Sequence, residues 1–325
     1  MKTKMVSIVG LDKETASIGM ALRESDLGLS VLGHAREKKE AQEARDIGAV
    51  DETTGNLVKA AQSADILIIK TPYSDHAVTL EVIGDEVQDH TLIVDMSKLK
   101  GASLMLADKY IRQGHYIGAN PVLAAAWLSD GQLGIEAAHA DLFEHSIFCL
   151  MPSVKADPKA VETAVNLGRI LGATPYFLDP HEYDSLMQGV ETLPALLGAA
   201  MFRAVSQATG WRDLLRFAGL DFALATSSIE NRDIAPVALN DKEATLRWLD
   251  AALAELQVMR RLVADGDQER LSLVLEDVEK DRYRWLDERA RNAWTDDTSS
   301  PDVGSVNIGA QLFGFRRGSS KKDSK

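Results

Sequence analysis

The stretch VSIVGLDKETASIG, residues 6–19, decides the fold: a short apolar run, a glycine, and then residues that suit a helix. Strand, tight turn and helix in that order open a dinucleotide-binding α/β fold, whose fingerprint G-x-G-x-x-G puts three glycines at the turn. Counted from Gly10, the second and third glycines fall on Asp12 and Thr15. Gly10 keeps the tight turn. Asp12 brings a carboxylate to the place where a pyrophosphate would meet the amides of the helix N-terminus, or else caps that helix itself. Thr15 replaces the glycine that allows close helix–strand packing, so it is expected to push helix and sheet apart or to oblige a cofactor to bind differently. One reading is therefore a nucleotide-binding frame with impaired or absent dinucleotide binding.

Outward from that turn, short β-rich runs alternate with helical stretches as far as Pro180. The runs are LSVLGH (29–34), DILIIKTP (65–72), TLIVDMS (91–97), HYIGANP (115–121), SIFCLMP (146–152) and TPYFLDP (174–180). Stretches such as 16–23, 37–47 and 157–171 have the length and apolar spacing of crossover helices. Several runs are apolar at consecutive positions, as parallel strands buried on both faces are. The expectation is an α/β, Rossmann-type doubly wound parallel sheet over residues 1–180, with Gly10, Arg36, Thr71 and Pro72 as candidate cofactor-binding residues. The second run ends in Gly33-His34-Ala35-Arg36, which has no acid for an adenosine ribose hydroxyl. Arg36, followed by Lys38 and Lys39, favours the 2′-phosphate of NADP over NAD; the alternative is a solvated start to the next helix.

After Pro180 the strand signals stop and the chain reads as helix to Trp294, an all-helical domain over 181–294. Asn240-Asp241-Lys242-Glu243 resembles a capping box, and Leu246, Leu249, Leu253, Leu256 and Val263 then recur at helical spacing. Beyond Asp265-Gly266-Asp267, Leu271, Val274, Val278 and Trp285 share a face. Such stripes serve either core packing or a homodimer seam. Residues 295–325 are rich in Ser, Asp, Gly and Lys, the composition of a disordered tail, with Leu312 to Arg317 its only sticky stretch.

The bulk composition narrows the partners. A chain of 325 residues with 45% hydrophobic content can bury a large core and suggests about two domains. Lys and Arg total 36 against 49 Asp and Glu, a formal net charge of −13 that repels phosphate backbones and argues against nucleic acid. Cys149 is the single cysteine, so no internal disulfide forms, no zinc spacing exists, and a cytoplasmic setting is expected. The apolar run after Lys4 is too short for a signal peptide or a membrane span.

Taken in order and at their spacing, the blocks IVGL, ASIGMALR, ADILIIKTP, VDMSKLKG, YIGANPVL and HEYDSLMQGVETLPALLGAAM resemble the prephenate/arogenate dehydrogenases of tyrosine biosynthesis, from about Val6 to Asn240. The resemblance implies a Rossmann domain followed by a helical dimerisation domain, a small-molecule ligand in the cleft between them, and hydride transfer to NAD or NADP coupled to loss of carbon dioxide. Its working residues carry over poorly. The family's D-x-x-S-x-K is Asp95-Met96-Ser97-Lys98-Leu99-Lys100 here, with Lys98 at the serine position. The family's G-G-H-P, whose histidine helps remove the substrate hydroxyl proton, is Gly118-Ala119-Asn120-Pro121, and Asn120 has no accessible pKa for a general base. The family's S-H-L-P-H is Glu191-Thr192-Leu193-Pro194-Ala195, with both histidines gone. An arginine for a substrate carboxylate falls near Ser227, with Arg232 the nearest substitute.

Lys98, Lys100 and Asn120 nevertheless follow strand ends, where ligands of open α/β sheets bind. Lys98 and Asn120 are the candidate catalytic residues: a buried lysine of lowered pKa can act as a base, and Asn120 can hold a hydroxyl. Their bland alternatives are an anion-binding surface lysine and a turn cap before Pro121. The seven histidines show no metal or nucleophile spacing and read as structural or solvated. Two functions remain: an NADP-using oxidoreductase with altered or reduced catalysis, and a non-catalytic relative acting as a sensor or partner protein.

Overall fold

The computed structural model describes residues 4–128, 130–230 and 233–293. Eight strands form one sheet: β1 (Lys4–Val9), β2 (Leu29–His34), β3 (Glu52–Thr54), β4 (Ile66–Ile69), β5 (Leu92–Asp95), β6 (His115–Pro121), β7 (Ile147–Pro152) and β8 (Thr174–Phe177). Their spatial order is β3-β2-β1-β4-β5-β6-β7-β8. The chain winds outward from β1 to β3 and then returns to place β4 on the other side of β1, so the order reverses between β1 and β4. A crevice opens at the carboxyl ends of strands at such a reversal.

Six helices cover the faces: α1 (Lys13–Glu24), α2 (Lys38–Asp46), α3 (Leu57–Ser63), α4 (Tyr73–Ile83), α5 (Lys100–Tyr110) and α6 (Pro158–Ile170). The run Ile66-Leu67-Ile68-Ile69 shows why the strand sequences do not alternate. Ile66 and Ile68 enter the core shared with α1 and α6, whereas Leu67 and Ile69 enter the core shared with α3, α4 and α5. Each such side chain contributes about 1.5–3 kcal/mol on burial, and a polar residue on either face would forfeit it.

The sheet departs from an all-parallel one at a single junction, where β6 pairs antiparallel with β7. Residues 122–146 between them hold two short 3-10 turns, Ala125–Trp127 and Ile135–Ala137, and no crossover helix among the described residues. A strand reached without a crossover returns antiparallel. The polar edge strand β3, three residues long, gives no sequence signal.

Among the described residues seven helices follow: α7 (Pro180–Met187), α8 (Leu193–Ser206), α9 (Trp211–Arg216), α10 (Leu220–Thr226), α11 (Ile234–Asn240), α12 (Lys242–Asp265) and α13 (Gln268–Ala290). α7 continues into α8 through a π turn, Gln188–Thr192. Pro194 lies just beyond it and has no N–H to return along the helix, the usual setting for a local change of hydrogen-bond register. Asp241, rather than Asn240, caps α12 by accepting from the Ala244 amide at 3.0 Å. Gly266 in the left-handed conformation ends that helix, and Asp267 caps α13. Leu246, Leu253, Leu256, Val263 and Val278 are exposed on the single chain, so its own core does not cover the stripes. No helix among the described residues is long and apolar enough to cross a membrane.

Candidate functional site

The site begins at the turn after β1. Gly10 has φ +88°, and a Cβ there would lie 1.8 Å from the Lys70 carbonyl oxygen, so only glycine lets this turn close over the end of β4. The Lys70 amide completes the approach by donating to the Val9 carbonyl at 2.8 Å. Asp12 then caps α1. Its Oδ1 accepts from the Thr15 amide at 3.0 Å, while its own amide donates to Thr15 Oγ1 at 2.9 Å, which forms a reciprocal capping box. Thr15 is fully buried, and its hydroxyl donates to the Gly10 carbonyl at 2.9 Å.

The second carboxylate oxygen of Asp12 is 2.7 Å from Lys70 Nζ, which also lies 2.5 Å from Glu14 Oε2. Two carboxylates thus share one ammonium at the N-terminus of α1. Burial opposes the charge of Lys70, but Glu14 and Asp12 outweigh it and push the pKa above the ordinary lysine value. Burial likewise opposes the charge of Asp12, and Lys70 holds its carboxyl below the usual range.

This cluster forms one wall of a cleft of about 720 Å³ at the carboxyl ends of β1, β2, β4 and β5. Gly10, Arg36, Thr71, Pro72, Lys98 and Lys70 all line it. Arg36 is paired with Asp75 at 2.9 Å across the rim, on an exposed arm. The Thr71 hydroxyl faces His76 Nδ1 at 3.2 Å, and Pro72 precedes the first turn of α4.

A buried polar cluster lies beneath this floor. Asp95 is fully buried; its carboxylate accepts from the Ser97 amide at 2.7 Å and the Ser97 hydroxyl at 2.8 Å, and from the Tyr116 hydroxyl. His76 Nε2 is 3.2 Å from the same carboxylate. Lys100 sends its ammonium to the carbonyls of Asp95 and Ser97. Of the two neighbouring lysines, Lys100 is the buried one, and burial pushes its pKa down against the pull of Asp95 and Asp184. Lys98 instead reaches Glu191 on the π turn at 2.7 Å, with a third of its side chain exposed. The buried lysine expected at position 98 is therefore Lys100.

Asn120 lies on β6 opposite Cys149, half-buried, and is not among the residues lining the cleft. Thr192 and Ala195 are buried. The Ser227 hydroxyl donates to the Leu224 carbonyl at 2.9 Å, while Arg232 and residues 294–325, including Leu312 to Arg317, lie outside the described residues. Among the described residues, no group of His, Cys, Asp or Glu is placed to hold a metal ion. The structure thus brings Gly10, Arg36, Thr71, Pro72 and Lys98 to one cleft and keeps Asn120 outside its lining. Sequence reasoning missed Lys70 and the counter-ions Glu14, Asp75 and Glu191; the available signal was a lysine closing an otherwise apolar strand run.

Residues 18–176 match the family model described as prephenate dehydrogenase, nucleotide-binding domain. The prephenate dehydrogenase of Bacillus subtilis (strain 168) is 24% identical over 282 residues, covering 82% of this chain and 72% of that protein. The prephenate dehydrogenase of Lactococcus lactis subsp. cremoris is 26% identical over 297 residues, covering 86% and 77%. Among solved structures, the prephenate dehydrogenase of A. aeolicus in complex with hydroxyphenyl propionate and NAD+ superposes with a TM-score of 0.73 at 20% identity, over 87% of this chain and 99% of that one. Synechocystis arogenate dehydrogenase superposes with a TM-score of 0.63 at 22% identity, over 86% and 99%.

Proposed function

The chain belongs to the prephenate dehydrogenase family, and on that premise we propose that it is a prephenate/arogenate dehydrogenase-like oxidoreductase that binds NADP(H) and carries out the family's oxidative decarboxylation slowly. The observation that carries this reading is the convergence of Gly10, Arg36, Thr71 and Pro72 on one cleft at the β1/β4 reversal. The cleft fits a nicotinamide dinucleotide. Gly10 lets the turn close against the end of β4, and three cations, Arg36, Lys70 and Lys98, stand along the cleft.

The preference for NADP rests on Arg36. Its partner Asp75 holds it in an exposed ion pair, an interaction worth about 0–1 kcal/mol, so a 2′-phosphate competes for the guanidinium at little cost. Ala35 offers no carboxylate to a ribose hydroxyl. Glu37 lines the same cleft and is the residue that would favour NAD instead.

A bound nicotinamide cofactor supplies the hydride acceptor. The residues around it are poorly suited to removing the accompanying hydroxyl proton. Asn120 cannot act as a base, Lys98 is tied to Glu191, and the Lys100 ammonium is turned toward backbone carbonyls. The same facts favour the second reading, a non-catalytic relative that senses a small molecule held between sheet and helices. A homodimer through α12 and α13 accords with either, since their apolar stripes are exposed.

Titration of the purified protein with NADPH and NADH, followed by an assay of prephenate and arogenate oxidation, tests the proposal. Tighter binding of NADPH with slow turnover is expected. Tighter binding of NADH overturns the NADP preference, and rapid prephenate oxidation overturns the slowed chemistry. Binding with no detectable turnover selects the non-catalytic reading.

A further inference from the structure

We propose that Lys70 is the diphosphate-binding residue of this cleft, with Asp12 as its resting counter-ion and the ligand's competitor. The inference rests on the cofactor reading above and assigns a new residue to it. In the ordinary fingerprint the helix N-terminus receives the anion on backbone amides, and glycines keep side chains out of its way. Here the Thr15 amide is already taken by Asp12 Oδ1. With the Asp12 amide bonded to Thr15 Oγ1 as well, two amides of this turn are engaged within the chain, and a diphosphate arriving here finds fewer backbone donors and draws on a side-chain cation.

Lys70 is placed to be that donor. It follows β4 directly, its backbone is locked to Val9 and packed against Gly10, and its ammonium lies in the cleft wall beside the α1 N-terminus. Its side chain is 22% exposed, and Lys70 lines the cleft together with Asp12. The two anions it holds differ. Glu14 lies within α1, whereas Asp12 precedes it and lines the cleft itself. A phosphate oxygen can replace the Asp12 carboxylate on Lys70 as one anion for another, and no bond to the protein is left without a partner on the lysine side.

The test is a double-mutant cycle read by equilibrium titration with NADPH, with adenosine 2′-monophosphate as a control ligand that lacks the diphosphate. Asp12→Asn keeps a good N-cap and removes the competing charge. It is expected to tighten NADPH binding by about tenfold. Lys70→Met is expected to weaken it by about tenfold, Lys70→Arg to retain it, and Lys70→Met in the Asp12→Asn background to lose the gain that Asp12→Asn brings. Binding of adenosine 2′-monophosphate should be the same in all four, which also shows that each variant keeps its folded cleft. If Asp12→Asn/Lys70→Met binds NADPH as tightly as Asp12→Asn, Lys70 merely neutralises Asp12 and the proposal is overturned. If adenosine 2′-monophosphate binds while NADPH affinity ignores Lys70, this inference falls and the cofactor reading stands. If no variant binds either ligand, both fall.

Discussion

Asp184 of α7 caps α5, accepting from the amides of Lys100 at 2.7 Å and Gly101 at 2.9 Å. The approach is close at the glycine, where a Cβ on Gly101 would lie 2.8 Å from the exposed His181 ring and 3.1 Å from Asp184 Oδ2. It joins the helical region to the strand end that carries Ser97 and Lys98, so the geometry of the cleft depends on a carboxylate outside the sheet.

Removing that cap should therefore destabilise the whole chain. Asp184→Ala leaves two buried amides without an acceptor, at an expected cost of about 1–3 kcal/mol. Urea denaturation followed by circular dichroism measures it. An unchanged midpoint would show that water replaces the carboxylate.

Acid should act through Asp95. Burial alone would raise its pKa, but His76, Lys100 and Tyr116 outweigh burial and hold the carboxyl below its ordinary 3.8. The unfolded chain therefore binds a proton where the folded chain does not. This group's stabilisation is present above about 3.8 and is lost as pH falls through that value toward the lower folded pKa. Asp95→Asn should flatten that acid limb and, by leaving the Lys100 ammonium short of a counter-charge, cost about 3–5 kcal/mol at neutral pH. Denaturation curves at pH 7 and pH 3 compare the two proteins; equal neutral stability would contradict the assignment.

Gly10→Ala should be among the most damaging single changes in the nucleotide-binding half. The left-handed φ and the backbone clash with Lys70 act together. Strain of this kind costs about 1–3 kcal/mol before the clash is counted. Thermal melting should fall by many degrees, and a shift of only a degree or two would mean that the turn adjusts freely.

The exposed stripes of α12 and α13 predict a homodimer. Light scattering at micromolar concentration should give twice the chain mass, and Leu253→Glu with Leu256→Glu should shift the protein toward monomer. A monomeric parent protein removes the prediction.

Much of the sheet was legible because buried strands and crossover helices obey different periods. Seven of the eight strands coincide with apolar runs, while β3 is too short and too polar to register. The reversed direction of β7 was not legible, since a strand's sequence carries no arrow and only the missing helix before it does. At the site, the loss of glycines at Asp12 and Thr15 was readable, as was the option that Asp12 caps α1. What composition and spacing could not reveal is pairing across distance. Lys70 meets Asp12, and Lys98 meets Glu191, only once β4 lies beside β1 and the π turn lies over β5. The choice between Lys98 and Lys100 as the buried lysine likewise depends on which side of the α5 start faces Asp184.

The π turn at Gln188–Thr192 has a consequence for how this helix tolerates change. A π turn holds one residue more than the α-helix around it, and one residue corresponds to about 100° of rotation. The wider turn takes up that surplus within Gln188–Thr192, so α8 keeps its face toward α10 despite the extra residue. Deleting one residue between Gln188 and Thr192 would restore a regular helix and leave the face that α8 turns toward α10 in place, whereas the same deletion in regular helix would turn everything downstream by about 100°. The π turn is therefore the place along α7 and α8 where loss of one residue is expected to be absorbed locally, while a deletion within α8 itself would misplace every contact that follows it.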